Sequence, residues 1–203
     1  MKISALSGLF VAVFFPAIQS FAGWYDAGFQ PRVEIGYRIN LSSAMETVLN
    51  RYDPEFKVWE ARNFHPMLRG LYEYKSFEPW RPFLAYQTLS GVIGDFNGDE
   101  VPDVVLKGRN KTYKKTIVLL SGNTGYTLTE ISAIPLKDPA RLNDTYSESD
   151  IVQCLELIPP GKIKAEPNYN QPEVDLKTDA FALSNFEGGK TIYYYTDGKF
   201  ISR

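Results

Sequence analysis

Cysteine and histidine are almost missing from this chain: one of each occurs in 203 residues. A lone cysteine excludes an intramolecular disulfide, and a lone histidine excludes every zinc site that needs two. Charge of one sign is missing too, since 22 Lys and Arg stand against 24 Asp and Glu and the isoelectric point is about 5.5. That balance gives no electrostatic footprint for nucleic acid or for an anionic membrane. HExxH, CxxC, GxSxG and GxGxxG are all absent. Gly188-Gly189-Lys190-Thr191 has the tail of a phosphate loop, but Ser184 stands where its first glycine belongs and the flanks are strand-like, so it reads as a hairpin connection. His65 has no local nucleophile motif and reads as a cap for a helix beginning at Pro66. No repeat of fixed period occurs, so solenoids and complete propellers are not supported.

What is present describes a globular protein, 44% hydrophobic and 23% charged, of a length suited to one ordinary domain. Met1 and Lys2 give a short positive start, Ile3 to Ile18 is almost continuously apolar, and small residues at Ser20 and Ala22 suit a signal peptidase. Residues 1–22 therefore read as a cleaved signal peptide. A transmembrane anchor is the competing reading, but the run is shorter than the ~20 residues of a bilayer span and Pro16 interrupts it. Cys154 lies far from the cleavage region, which disfavours a lipoprotein anchor, and its strand-like surroundings make it a buried, inert thiol. Export, to the periplasm or beyond, puts a protein without an internal disulfide where disulfides are usual, so its core must hold it, assisted by an ion if one binds.

Residues 23–203 read as one domain with a helical front, about 23–80, and a β-rich remainder, about 81–203. Met45, Val48, Leu49 and Tyr52 share one helix face, Ser43 and Glu46 have capping-box spacing, and Pro54 ends the pattern. A second short helix from Pro66 would use Met67, Leu68, Leu71 and Tyr72. Strands are expected at Pro82–Gln87, Asp103–Lys107, Thr116–Leu120, Tyr126–Ile131, Ile151–Ile158, Phe181–Phe186, Thr191–Thr196 and Lys199–Ser202. Asp197-Gly198 supplies a type I′ hairpin turn, and Pro159 to Pro172 reads as a surface loop. The expected class is α+β: one or two short N-terminal helices, then a mainly antiparallel β-sheet or sandwich that is not a complete propeller.

The most informative segment is Gly94-Asp95-Phe96-Asn97-Gly98-Asp99-Glu100-Val101-Pro102-Asp103. Asp95, Asn97, Asp99 and Asp103 fall at relative positions 1, 3, 5 and 9, and the Val101 carbonyl is available at position 7. This alternation turns successive oxygens inward, as a hard cation such as Ca²⁺ requires. An EF-hand is excluded because position 12 is Leu106 rather than Glu and the flanks read as strands. A hairpin turn that is merely rich in Asp, Asn and Gly is the alternative. The segment resembles the calcium loop of FG-GAP and VCBS-type repeats, matching it at Asp95, Asn97, Gly98, Asp99 and Asp103 with Val104-Val105-Leu106 as the following strand. Glu100 replaces the usual glycine, at a cost of ~1 kcal/mol if that position is left-handed. The ending, Asp179-Ala180-Phe181-Ala182-Leu183 and Tyr193-Tyr194-Tyr195-Thr196-Asp197-Gly198, resembles that of small exported bacterial proteins with one such aspartate loop and no assigned activity.

The resemblance implies one structural Ca²⁺ and no reaction. The favoured function is a non-enzymatic binding or envelope interaction module. The alternatives are a metal-dependent hydrolase using the aspartate loop and a carbohydrate-binding module using exposed aromatics among Tyr193, Tyr194, Tyr195, Trp24, Trp59 and Trp80. Strand tyrosines alternate faces and usually serve packing instead. Asn40, Asn110 and Asn143 begin glycosylation-type triplets, which matter only in a eukaryotic host.

Overall fold

A computed structural model describes residues 38–65, 68, 86–136, 153–164, 173–185 and 189–203. All of them fall in one compact unit, residues 36–203. The expected leader lies outside the described residues. So does the helix expected from Pro66, apart from Leu68, which is buried; His65, proposed to cap it, is the last residue described before it.

Helix α1 is Ser43–Tyr52. Its N-cap is Ser42 rather than the expected Ser43: the Ser42 hydroxyl accepts the Met45 N–H at 3.3 Å. Met45 and Leu49 are buried, as their spacing predicts, and Asp53, just before Pro54, closes the helix by donating its N–H to the Leu49 carbonyl at 2.9 Å. One α-helix is thus described, followed by a 3-10 turn at Ala61–Asn63.

The remainder is antiparallel β. The strands are β1 (Lys57–Val58), β2 (Gln87–Thr88), β3 (Gly91–Gly94), β4 (Asp103–Arg109), β5 (Tyr113–Leu120), β6 (Thr127–Pro135), β7 (Gln153–Ile158), β8 (Gly161–Ile163), β9 (Val174–Leu176), β10 (Ala180–Asn185), β11 (Lys190–Thr196) and β12 (Lys199–Ser202). Sheet A runs β2-β3-β4-β5-β6, with β1 joining β4 beyond the end of β3; sheet B runs β12-β11-β10-β7; β8 and β9 form a separate ribbon. Among the described residues no barrel or propeller closes. The ribbon corrects one expectation, because β8 lies inside the stretch from Pro159 to Pro172 that reads as loop. Gly161, at φ 144°, gives the chain the reversal that starts it.

Three apolar layers follow from the alternation of side chains across each strand. Val104, Leu106, Ile117 and Leu119 point from sheet A toward Met45 and Leu49 of α1. Val92, Val105, Val118 and Leu120 point the other way and meet Leu155, Leu157, Phe181 and Leu183 of sheet B. Ala180, Ala182 and Ile192 on the far face of sheet B meet Leu176. Tyr193 and Tyr195 pack against the inter-sheet core while Tyr194 faces the opposite side; Tyr193 stacks on Phe181 with centroids 5.1 Å apart. The Asp197-Gly198 turn has φ 50° and 79°, as a type I′ hairpin requires. Cys154 is a free, buried thiol, and burial pushes its pKa up to about 12.

Candidate metal centre

The segment that carries the aspartates connects β3 to β4, flanked by strands that close on the Gly94–Asp103 pair. Its path is set by short polar side chains bonding their own backbone. The Asp95 carboxylate accepts the N–H groups of Gly98 (2.7 Å), Asp99 (3.2 Å) and Glu100 (3.0 Å). Asn97 Oδ1 accepts the Asp99 N–H at 3.1 Å, and Asp99 Oδ1 accepts the Val101 N–H at 3.0 Å. Positions 1, 3 and 5 thus each fold the chain around an oxygen. Gly98 and Glu100 both have positive φ, 81° and 64°, so the position where glycine is usual is indeed left-handed.

Asp103 forms the floor. It has no exposed surface; its Oδ2 accepts the Phe96 N–H at 2.8 Å and its Oδ1 accepts the Ser121 N–H at 2.7 Å. Burial raises its pKa, opposed by those hydrogen bonds. The exposed Asp99 is shifted the opposite way, chiefly by the Ser121 hydroxyl.

Ser121, the residue after β5, is where these groups meet. Its Oγ lies 2.8 Å from Asp99 Oδ1, 2.8 Å from Asp99 Oδ2, 2.8 Å from Asp103 Oδ1 and 3.5 Å from the Val101 carbonyl. Asn97 Nδ2 donates to the Ser121 carbonyl at 2.9 Å and reaches the hydroxyl at 3.4 Å. A hydroxyl has one proton to give. It serves one of these carboxylates, and the other faces it lone pair to lone pair. Two carboxylates, a carbonyl and a hydroxyl oxygen therefore face one another here, oxygens of the kind a hard cation takes, while Asn97 presents its amide N–H groups rather than Oδ1. The five sequence-predicted residues divide accordingly: Asn97, Asp99, the Val101 carbonyl and Asp103 gather at Ser121, whereas Asp95 is committed to the loop's own N–H groups. Among the described residues no three His, Cys, Asp or Glu side chains form a metal-holding group; the gathering here is two carboxylates with a hydroxyl, a carbonyl and an amide.

The connection leading into β10 of sheet B also grips the loop. The Asp179 carboxylate accepts the Asp95 N–H at 2.9 Å, the Asp179 N–H donates to the Asp95 carbonyl at 3.1 Å, and Thr178 Oγ1 donates to the Phe96 carbonyl at 2.9 Å. Phe96 is fully buried and lies edge-on to Phe181, with centroids 5.8 Å apart. Tyr126 OH donates to the Pro102 carbonyl at 3.2 Å. Ser121 and Thr178 carry no local signal, and Asp179 stands in the C-terminal resemblance without marking itself as a partner of the loop. Comparison with family models, with curated proteins and with solved structures finds no match for this chain.

Proposed function

We infer that this is an exported calcium-binding protein in which the ion is structural and the molecule acts as a non-enzymatic binding or envelope module. One observation carries the reading: Asp99, Asp103 and the Val101 carbonyl crowd a single hydroxyl whose one proton cannot serve them all. Of the five residues of the pattern, Asp99, the Val101 carbonyl and Asp103 would hold the ion, in the manner of the FG-GAP and VCBS-type loops the segment resembles, with Ser121 as a further oxygen; Asp95 and Asn97 would join them by giving up the loop N–H groups their side-chain oxygens now accept. When bound, Ca²⁺ supplies the positive charge that this arrangement lacks. The buried floor supports a structural role, because Asp103 and Ser121 tie the start of β4 to the end of β5. The apolar leader supports export.

Calorimetric titration of the chain beginning at Gly23 with CaCl₂ tests this. It should show one saturable site, abolished in Asp99→Ala. Absence of binding heat at several temperatures, with equilibrium dialysis also showing no retained Ca²⁺, overturns the reading.

A further inference from the structure

A second polar arrangement stands where sheet A meets the edge of sheet B. β7 is the outermost strand of sheet B on that side, so the backbone groups of every second residue along it have no strand to pair with. Three groups from sheet A take them. Lys107 Nζ donates to the Gln153 carbonyl and to Gln153 Oε1, both at 3.0 Å. The Leu89 carbonyl accepts the Leu155 N–H at 3.0 Å, and Gln87 Oε1 accepts the Leu157 N–H at 2.9 Å. Residues 153, 155 and 157 are thus closed in alternation by a side chain, a main chain and a side chain.

Lys107 is the unusual member. It is 8% exposed, both its acceptors are uncharged, and among the described residues no carboxylate pairs with it. A neutral amine has two N–H donors for these two acceptors and matches them completely. An ammonium has a third N–H and a buried charge with no counter-ion. We propose that Lys107 is a proton-operated latch between the two sheets, closed on Gln153 as the neutral amine and loosened when it takes up a proton. The titratable groups that face it are Cys154 of β7 and Lys114 of β5; Gln87 of β2 and Leu89 and Ser90 of the turn between β2 and β3 carry no charge. The thiol stays protonated and neutral through this range, and the Lys114 charge adds to the cost of a second ammonium. Desolvation brings the amine down to about 7, from a usual value near 10.5. Given the export proposed above, on which this step rests, mild acidification outside the cell would then work the latch.

Hydrogen exchange of the Leu155 and Leu157 amides reads the latch directly. Their protection, corrected for intrinsic exchange, should fall at least about tenfold between about pH 8.5 and about pH 6, because the closed form binds its proton more weakly than the open form over that window. In Lys107→Met the pH dependence should vanish while the protection persists. If that variant does not fold, the lysine side-chain carbon resonances of the unaltered protein decide: one lysine titrating near pH 7 supports the latch. Protection that is flat with pH, an unchanged slope in Lys107→Met, or every lysine titrating above about pH 9.5 overturns it.

Discussion

Glu100 occupies a backbone conformation that suits glycine, and the loop keeps it there by other means. At φ 64° its Cβ crowds the following carbonyl, a cost of ~1 kcal/mol. The Glu100 N–H, bonded to the Asp95 carboxylate at 3.0 Å, offsets part of that cost, and the charged side chain remains exposed. Glu100→Gly keeps the N–H and removes the steric penalty. It should therefore stabilise the protein by about 0.5–1 kcal/mol in urea unfolding. A loss of stability would mean that the glutamate side chain contributes something its exposure does not suggest. The strain was conditionally readable in the sequence, because the loop pattern marks the position that demands a left-handed residue. The convergence on Ser121 was not, because Ser121 lies 22 positions from Asp99 and 18 from Asp103 and joins them only once β4 and β5 pair.

At the scale of elements, helix α1 is fastened to sheet A through its last turn. Lys115 of β5 donates to Asp53 at 3.1 Å and to Tyr52 OH at 3.0 Å, and lies 3.6 Å from Glu130 of β6. Tyr52 OH also donates to Glu130. The Lys115 and Asp53 side chains are each only 11% exposed, so solvent screens them poorly. Burial opposes both charges, but the hydrogen bonds prevail: Asn110 and Lys115 hold the Asp53 carboxyl below its usual range, and Tyr52 and Asp53 hold the Lys115 amine above its own. The sign follows for each group. The Asp53 contribution is present above its unfolded pKa and is lost as pH falls through the acid range; the Lys115 contribution is present below its unfolded pKa and is lost only in strong alkali. A double-mutant cycle with Lys115→Met and Asp53→Asn should give about 1–2 kcal/mol of coupling near neutrality, shrinking progressively as the pH is lowered through the acid range. A coupling near zero at neutral pH would contradict this account.

Elements with strong local signals were legible for physical reasons. α1 shows its buried face through the spacing of Met45 and Leu49, and β11 and β12 announce themselves through Asp197-Gly198. The β8–β9 ribbon was hidden because its strands are three residues each and owe their place to covering Ala180, Ala182 and Ile192. β1 and β2 are shorter still, and pairing with longer strands defines them.

For the whole molecule, the layers explain why an ion at a surface turn would matter globally. The turn between β3 and β4 begins at Asp95, which Asp179, just before β10 of sheet B, holds, and passes directly to Phe96, which fills the space between the sheets beside Phe181 and Phe200. It ends at Asp103, which holds both the Phe96 N–H and Ser121. Ordering that loop therefore orders the contact between sheets A and B, in a protein with no internal disulfide to do so. A ligand that binds only the folded form at about a hundred times its Kd adds about 2.7 kcal/mol. For a chain of this size that corresponds to a rise in Tm of roughly 5–10 °C. The most direct test is a pair of calorimetric melts of the chain beginning at Gly23, one in saturating CaCl₂ and one in EDTA. The account predicts a Tm higher in Ca²⁺ by that amount, with the difference gone in Asp99→Ala. Identical melting in Ca²⁺ and EDTA would contradict it.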